Sequence, residues 1–447
     1  MRMKQIAPVM SALLAVTMLA ACSSKGNESA TKETAVQPVV DMTKPVTLTV
    51  ASGLGMSLED FDKSYGDDIR KKFPNVTLNY IARGQGTTIP ELIAAGTYPD
   101  LVFGVLSDVD NYLINLNLHM DMAPLAKKHG YDLGRFEPGL LDAIKTTTPE
   151  GSLIGLPMPY GGTQVMFYNK SIFDKFGVPY PKDGMTWDDT YDLAKKMTRN
   201  EGGEIYRGFS SFYGVVLRDN QLSVPYLDPK ADKMYNPEKW KELFLNISRF
   251  YEIPNNMRAE GTSQTTEAAA FGATQKVALT VTQFGAYSGL PDEMNWDMVT
   301  MPTFKEAPNT SGMVTGSSAY WYITKTNQNP DMTFKVVEYL LSDERQIAEA
   351  KSKANMPSVR TIKDLDKILG SEMPKLKGKN MAAVTTMKPA AVPPARSQGL
   401  VGANLNELKK IVEGTINKLI INKIDINTAL REAEEAMAKQ VEAKKSQ

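Results

Sequence analysis

Cysteine is almost absent from this chain, since Cys22 is the only one among 447 residues. A disulfide within the chain is therefore excluded. Histidine is also scarce, and the separation of His119 and His129 matches no metal-ligand spacing. The sequence lacks the HExxH, CxxC, Gly-x-Ser-x-Gly and Walker patterns of common catalytic and nucleotide sites. We therefore predict a protein with no catalytic residue, no metal and no cofactor.

An excess of charge of either sign is missing as well. Lys plus Arg and Asp plus Glu both number 51. Without Arg2 and Lys4 at the N-terminus, 49 basic residues face 51 acidic ones. Such a balance gives no electrostatic reason to bind nucleic acid and does not point to a highly charged ligand. The contents of 42% hydrophobic and 23% charged residues are ordinary for a soluble globular protein.

The longest apolar run stands at the N-terminus and is short. Arg2 and Lys4 precede the run Ile6–Ala21, a secretory signal layout that falls below the ~20 apolar residues of a membrane span. The run closes with Leu19-Ala-Ala-Cys22, which resembles the bacterial lipobox. That resemblance implies cleavage after residue 21 and a lipid on Cys22. The alternative is an ordinary signal peptide with a chance cysteine.

Residues 22–44 follow as a polar segment without an aromatic side chain. Such a segment cannot bury enough apolar surface to offset the entropy of ordering it. We interpret it as a tether between a lipid anchor and a folded body. The protein is then expected at the outer face of the cell membrane.

The folded body of about 400 residues is too long for one simple core, so two lobes are expected. Strand, helix, strand, helix and strand alternate at its start, which is typical of an α/β fold with a mostly parallel sheet. The predicted elements are Val46–Val50, Leu58–Phe73, Val76–Ile81, Ile89–Ala95 and Leu101–Phe103. Sheets of this kind bind ligands beyond the carboxyl ends of their strands.

Further helices and strands are predicted from capping residues and from the spacing of apolar residues. Thr186 begins a helix with a capping-box-like pattern, and its neighbour Trp187 is interpreted as a core residue rather than a ligand contact. Strands are predicted at Lys276–Val281 and Ala319–Ile323. The tail from Asn404 to Lys445 is predicted to be helical, with a break near residues 422–427.

Several short motifs occur in an order that resembles the extracellular solute-binding proteins of sugar ABC importers, the maltose-binding-protein-like group. They are Pro99-Asp-Leu-Val-Phe103, Phe167-Tyr-Asn-Lys170, Gly184-Met-Thr-Trp187, Val299-Thr-Met-Pro-Thr-Phe304 and Val337-Glu-Tyr-Leu-Leu-Ser342. The resemblance spans nearly the whole mature chain. It implies a two-lobed periplasmic-binding-protein-like fold (type II), in which each lobe is a mixed, mostly parallel sheet flanked by helices and the ligand cleft lies between the lobes. The protein is expected to act as a monomer with membrane permease subunits as partners.

The boundaries of the two lobes rest partly on this resemblance. The dense Pro and Gly between Pro157 and Gly162 predict one crossing between lobes. The resemblance implies two more, near residues 301–304 and 355–357. The first lobe would then hold residues 45–157 and 303–354, and the second would hold 158–302 and 355–447.

A sugar cleft needs aromatic faces for C–H surfaces and polar groups for hydroxyls. The predicted ligand-binding residues are Ser52, Arg83, Gln85 and Asp108 in the first lobe, Gln164, Phe212, Tyr213, Phe284 and Tyr287 in the second, and Tyr320 and Trp321 near the hinge. Each aromatic could equally be a core residue, and Arg83 could be a surface charge. The pair Asp108 and Asp110 could suggest a calcium site, but a solvated turn is the favoured interpretation.

The sequence thus favours a lipid-anchored substrate-binding protein of an ABC importer over an enzyme. Carboxylate pairs for glycoside cleavage meet only in space, so a secreted cell-surface hydrolase or lyase stays the rival class. The ligand is expected to be a sugar or oligosaccharide. Polyols, glycerol phosphates and uronides remain open.

Overall fold

The computed structural model describes Asp41 and residues 43–258, 261–313, 318–397, 399–401 and 405–446. The predicted signal segment, Cys22 and nearly all of the predicted tether lie outside these residues. The described body belongs to one compact unit. None of its helices is both long and apolar enough to cross a membrane.

Twelve strands are assigned in the described residues. They are β1 (Val46–Ser52), β2 (Val76–Ile81), β3 (Leu101–Val105), β4 (Leu156–Pro157), β5 (Gln164–Asn169), β6 (Arg199–Glu201), β7 (Glu204–Ser211), β8 (Val277–Gln283), β9 (Trp296–Thr300), β10 (Thr310–Ser311), β11 (Ala319–Ile323) and β12 (Lys388–Pro389). Two five-stranded sheets, with orders β2-β1-β3-β11-β4 and β6-β7-β8-β5-β9, define the first and second lobes, and β10 pairs with β12 separately.

Sixteen α-helices surround these sheets within the same residues. They are α1 (Leu58–Phe61), α2 (Asp67–Lys72), α3 (Ile89–Ala94), α4 (Ala123–Lys128), α5 (Pro138–Lys145), α6 (Lys170–Phe176), α7 (Trp187–Met197), α8 (Tyr213–Arg218), α9 (Pro237–Tyr251), α10 (Gln264–Thr274), α11 (Pro330–Leu340), α12 (Asp343–Lys353), α13 (Leu365–Ile368), α14 (Ala382–Thr385), α15 (Leu405–Ile420) and α16 (Ile426–Lys445). A π-helical turn, Asp62–Gly66, joins α1 to α2.

Local sequence explains where many of these elements begin. The Thr186 hydroxyl accepts from the Asp189 amide and the Asp189 carboxylate accepts from the Thr186 amide, so the predicted capping box at α7 is confirmed. The Asn236 side chain caps α9, whose first residue is a proline. The predicted helical tail is also confirmed as α15 and α16, with its break between Ile420 and Ile426.

The sheets are mixed, as expected, although parallel pairs do not predominate in them. In the first lobe β1 runs parallel to β2 and β3, as predicted, but β11 runs antiparallel to β3 and β4. In the second lobe only β7 and β8 are parallel, while β5 is antiparallel to both β8 and β9. The early βαβ pattern could not reveal this, because β11 and β5 follow crossings from the other lobe and enter their sheets from the opposite end.

Each lobe has its own apolar core. The first core gathers buried side chains from β1, β3, β11 and α11, and the second gathers those from β5, β7, β8, α9, α15 and α16. A third buried cluster contains Leu140 of α5, Phe167 of β5 and Ala350 of α12, so it joins elements of both lobes.

At the second and third crossings, the contacts place the change of lobe slightly later than the predicted boundaries. The chain leaves the first sheet after Pro157 and enters the second at Gln164. Thr303, the predicted start of the returning segment, still exchanges backbone hydrogen bonds with Met185 and Trp187 of the second lobe. Val359, predicted to lie in the second lobe, packs in the first core and pairs with Phe136. Proline in the sequence signals only an interruption of regular structure, whereas the hydrogen bonds of Thr303 and the packing of Val359 decide which lobe each residue joins.

Candidate functional site

A cavity of about 310 Å³ lies where the two lobes meet, beyond the carboxyl end of β3. Leu106, Ser107, Val109 and Asp110 follow that strand and form its first-lobe wall, together with the end of α5. Arg218, at the end of α8, and the loop Val224–Leu227 form the second-lobe wall, and α8 itself follows β7. This position agrees with the rule that ligands of open α/β sheets bind beyond the carboxyl ends of the strands.

The segment after β12 and the start of α15 complete the walls. Val392, Pro393, Pro394, Ala395 and Arg396 cross the cavity, followed by Leu405, Asn406, Leu408 and Lys409. Apolar side chains dominate, as in most small-molecule sites, and the volume is at the lower end of the range of ~300–1,000 Å³ for such sites.

Several polar side chains of the cavity have unused hydrogen-bonding capacity, among them Arg396, whose Nε is buried without a hydrogen-bond partner. The Ser107 hydroxyl and the Asp110 carboxylate make no hydrogen bond with the residues that the structure describes, and the Tyr226 phenol oxygen is buried without a partner. Burial raises the pKa of Asp110, and the nearby Lys444 opposes that rise. Unspent donors and acceptors in a concave site are available to a ligand.

The cationic side chains of the cavity, in contrast, already face acids. Arg218 forms an ion pair with Asp219, and both side chains are mostly buried. Arg396 pairs with Asp232. Lys409 lies 3.7 Å from the Glu413 carboxylate one helical turn on. The positive charge of this site is therefore largely neutralised by the protein itself.

Asp108 does not line the cavity but ties two of its walls together. Its carboxylate accepts a hydrogen bond of 2.6 Å from the Asn406 amide at the start of α15. Because Asp108 follows β3 and α15 packs in the second core, this bond joins the two lobes. The described residues contain no group of three or more His, Cys, Asp or Glu placed to hold a metal, so Asp108 and Asp110 do not belong to such a group.

The other predicted residues of the first lobe lie at the ends of β1 and β2. The Ser52 hydroxyl is buried and bonds the backbone of Leu54 as both donor and acceptor. The Arg83 guanidinium donates to the Gly53 carbonyl at 2.7 Å, which joins the two strand-end loops. Gln85 is exposed. The charge of Asp108 raises the pKa of the buried Tyr112 phenol and the charge of Arg83 lowers it, so both residues lie near that phenol. Neither of them lines the cavity.

Gln164 lies at the start of β5, where the chain enters the second sheet. Its side-chain amide donates to the Asp219 carbonyl at 3.4 Å, and its carbonyl oxygen is buried without a partner. A Cβ added at Gly312 would lie 2.5 Å from that amide nitrogen, so the chain between β10 and β11 passes directly over Gln164. Gln164 therefore belongs to the segment in which the chain passes from the first lobe to the second, next to the cavity.

The structure does not bring the predicted aromatics together as a stacking platform. Phe212 is half-buried, whereas Tyr213 is fully buried in the second core and donates to the Asn417 side chain at 2.6 Å. Phe284 and Tyr287 pack against each other in the cluster that joins the lobes, with ring centroids 5.0 Å apart. The loop after β8 folds back over the crossing segment instead of opening towards the cavity, which explains their burial.

Tyr320 and Trp321 are also core residues rather than hinge contacts. Both are at most 1% exposed, and the Tyr320 hydroxyl donates to the Leu140 carbonyl at 2.8 Å. A signal for this was present, since Ala319–Ile323 is apolar throughout instead of alternating, which is typical of a strand covered on both faces. Trp187 is buried as well, as the sequence indicated.

Sequence reasoning missed Ser107, Asp110 and Tyr226. Ser107 and Asp110 flank the predicted Asp108, and a π-helical turn at Asp110–Ile114 sets which of the two carboxylates faces the cavity. Tyr226 lies between Pro225 and Pro229, in a segment that the sequence predicts to be a loop. An aromatic side chain in a predicted loop was the available signal.

The family of the chain is decided by a profile described as bacterial extracellular solute-binding protein, which matches residues 64–377. The chain belongs to this family. The family predicted from the motifs is thereby confirmed. The family description places such proteins outside the cytoplasm. Among curated proteins, none matches this sequence significantly.

Solved structures confirm the two-lobed fold of this solute-binding protein. A sugar transporter from Rhizobium etli in an open conformation superposes with a TM-score of 0.67 at 17% identity, covering 88% of this chain and 99% of that one. The sugar-binding protein MalE from Xanthomonas citri superposes with a TM-score of 0.65 at 17% identity, covering 90% of this chain and 98% of that one. The cyclic alpha-maltosyl-1,6-maltose binding protein from Arthrobacter globiformis superposes with a TM-score of 0.66 at 15% identity, covering 89% of this chain and 100% of that one.

Proposed function

We propose that this protein captures a sugar or oligosaccharide by closure of its two lobes and delivers it to the permease of an ABC importer. The observation that carries the proposal is the cavity between the ends of β3 and α8, whose walls come from both lobes. Closing the lobes would enclose a ligand there, as in other hinge-type binding proteins. The names of the similar structures support a sugar, since they include a sugar transporter and a binding protein for cyclic alpha-maltosyl-1,6-maltose.

The protein is proposed to bind without turnover. Among the described residues, the cavity side chains with unused hydrogen-bonding capacity include a single carboxylate, that of Asp110, whereas glycoside hydrolysis ordinarily needs a pair of carboxyl groups. Release of product from any bound sugar by the purified protein would favour the hydrolase or lyase alternative instead.

A thermal-shift screen of the purified body against mono- and oligosaccharides tests the binding function. A ligand present at a hundredfold excess over its dissociation constant should stabilise the protein by about 2.7 kcal/mol. We expect at least one saccharide to raise the melting temperature in a saturable way. If no saccharide does so, the proposed sugar-binding function is wrong.

Membrane attachment is proposed to depend on a lipid on Cys22, because this lone cysteine closes the signal run. Cys22→Ala should leave a folded protein that no longer sediments with membranes, since each buried methylene of the lipid contributes ~0.8 kcal/mol. The measurement is fractionation after salt and carbonate washes. A variant that stays in the membrane fraction would contradict lipid anchoring, whereas it would leave the binding function untouched.

A further inference from the structure

We propose that the cavity selects an uncharged polyhydroxylated solute and rejects anionic ones, with the Asp110 carboxylate as the specificity-determining acceptor. This inference rests on the proposed function, and it chooses among ligands that the family resemblance leaves open. Sugars and polyols are selected. Uronates and sugar or glycerol phosphates are excluded.

The first argument is the state of the cations. A site for phosphate or carboxylate usually presents an Arg or Lys whose donors are free for the anion. Of the cationic side chains that line the cavity in the described part of the chain, Arg218 faces Asp219, Arg396 faces Asp232 and Lys409 faces Glu413. Each of these three charges has a protein carboxylate within ion-pair distance, so an incoming anion would have to compete with it, although the Arg396 Nε is buried without a hydrogen-bond partner.

The second argument is the position of Asp110. Its carboxylate lines the cavity, is half-buried and makes no hydrogen bond with the described residues. Burial raises the pKa of this carboxyl and the charge of Lys444 lowers it, so Lys444 favours the charged form. An anionic ligand would meet this like charge in a partly desolvated site, where the repulsion is less screened than in water.

The third argument is complementarity to hydroxyl groups. A carboxylate accepts hydrogen bonds from hydroxyls, and such charge-assisted bonds are stronger than neutral ones. The Ser107 hydroxyl and the buried Tyr226 phenol add groups that both donate and accept. Apolar walls such as Leu106, Val224 and Pro394 suit the C–H faces of the same molecule.

The test compares matched neutral and anionic probes on the purified protein by calorimetry and thermal shift. The pairs are D-glucose with D-glucuronate, maltose with maltobionate, and glycerol with glycerol 3-phosphate. In each pair that binds, the neutral member should bind at least tenfold more tightly. Tighter binding of an anionic member would overturn the inference while leaving carbohydrate binding in place. Failure of every probe would count against the proposed function and this inference together.

A variant pair isolates the role of the carboxylate. Asp110→Asn keeps the shape and removes the charge, so it should weaken the neutral ligand about tenfold and reduce the penalty on its anionic partner. Asp192→Asn, which alters an exposed carboxylate paired with Lys195, should bind as the wild type does. Unchanged affinity and unchanged discrimination in Asp110→Asn would overturn the inference. If that variant fails to fold, the wild-type probe pairs alone decide.

Discussion

Replacing Glu267 by alanine should lower the free energy of unfolding by about 3–5 kcal/mol, because it leaves the Arg207 guanidinium buried without its counter-charge. The two side chains form a bidentate pair between α10 and β7, with nitrogen–oxygen distances of 2.9 and 2.5 Å. Glu267 is only 2% exposed and Arg207 only 16%. Water therefore cannot replace the lost carboxylate.

Urea unfolding of the apo variant measures this effect. A matched control is Glu204→Ala, which removes the partner of Lys276 on the same lobe. That pair spans 2.9 Å, but both side chains are about half exposed, so solvent and salt screen it and stability should barely change. Equal losses of unfolding free energy in the two variants would show that breaking the buried Arg207–Glu267 pair costs no more than breaking an exposed pair.

Replacing Phe284 by alanine should also cost about 3–5 kcal/mol of stability, as deletion of a buried phenylalanine ring commonly does. The ring is fully buried and packs against Tyr287 in the cluster that joins the lobes. It also lies over Gly162, where an added Cβ would come within 2.9 Å of the ring. Gly162 has a positive φ of 87°, so the crossing segment is shaped around this aromatic.

Unfolding of apo Phe284→Ala and of apo Tyr287→Phe would be measured side by side. Tyr287→Phe keeps the ring and removes a hydroxyl that donates to the Lys353 carbonyl at 3.5 Å and to the Met373 sulfur, a weak acceptor, at 3.3 Å. We expect it to cost no more than about 1 kcal/mol. If Phe284→Ala were as stable as the wild type but bound a saccharide tenfold less tightly, Phe284 would be a platform residue after all.

The sequence by itself determined the fold class and the positions of most elements. Alternation and β-branching located β1 and β2, and the capping signal at Thr186 located α7. These features are local, since a cap or a strand period is settled by neighbours a few residues away. The ordered motifs also identified the family that the profile match confirms.

Only the tertiary structure decided which side chains form the site. An aromatic after a strand looks the same in sequence whether it covers a ligand or another lobe, and packing buried Tyr213, Phe284 and Trp321. One helical turn after β3 separated Asp108, which ties the lobes together, from Asp110, which faces the cavity. The roles of these residues depend on contacts with Asn406 and the loop around Tyr226, which are remote in sequence. The periodicity of apolar residues shows that one face of a strand or helix is buried, but not which other part of the chain covers that face. Those contacts could therefore be found only in the folded chain.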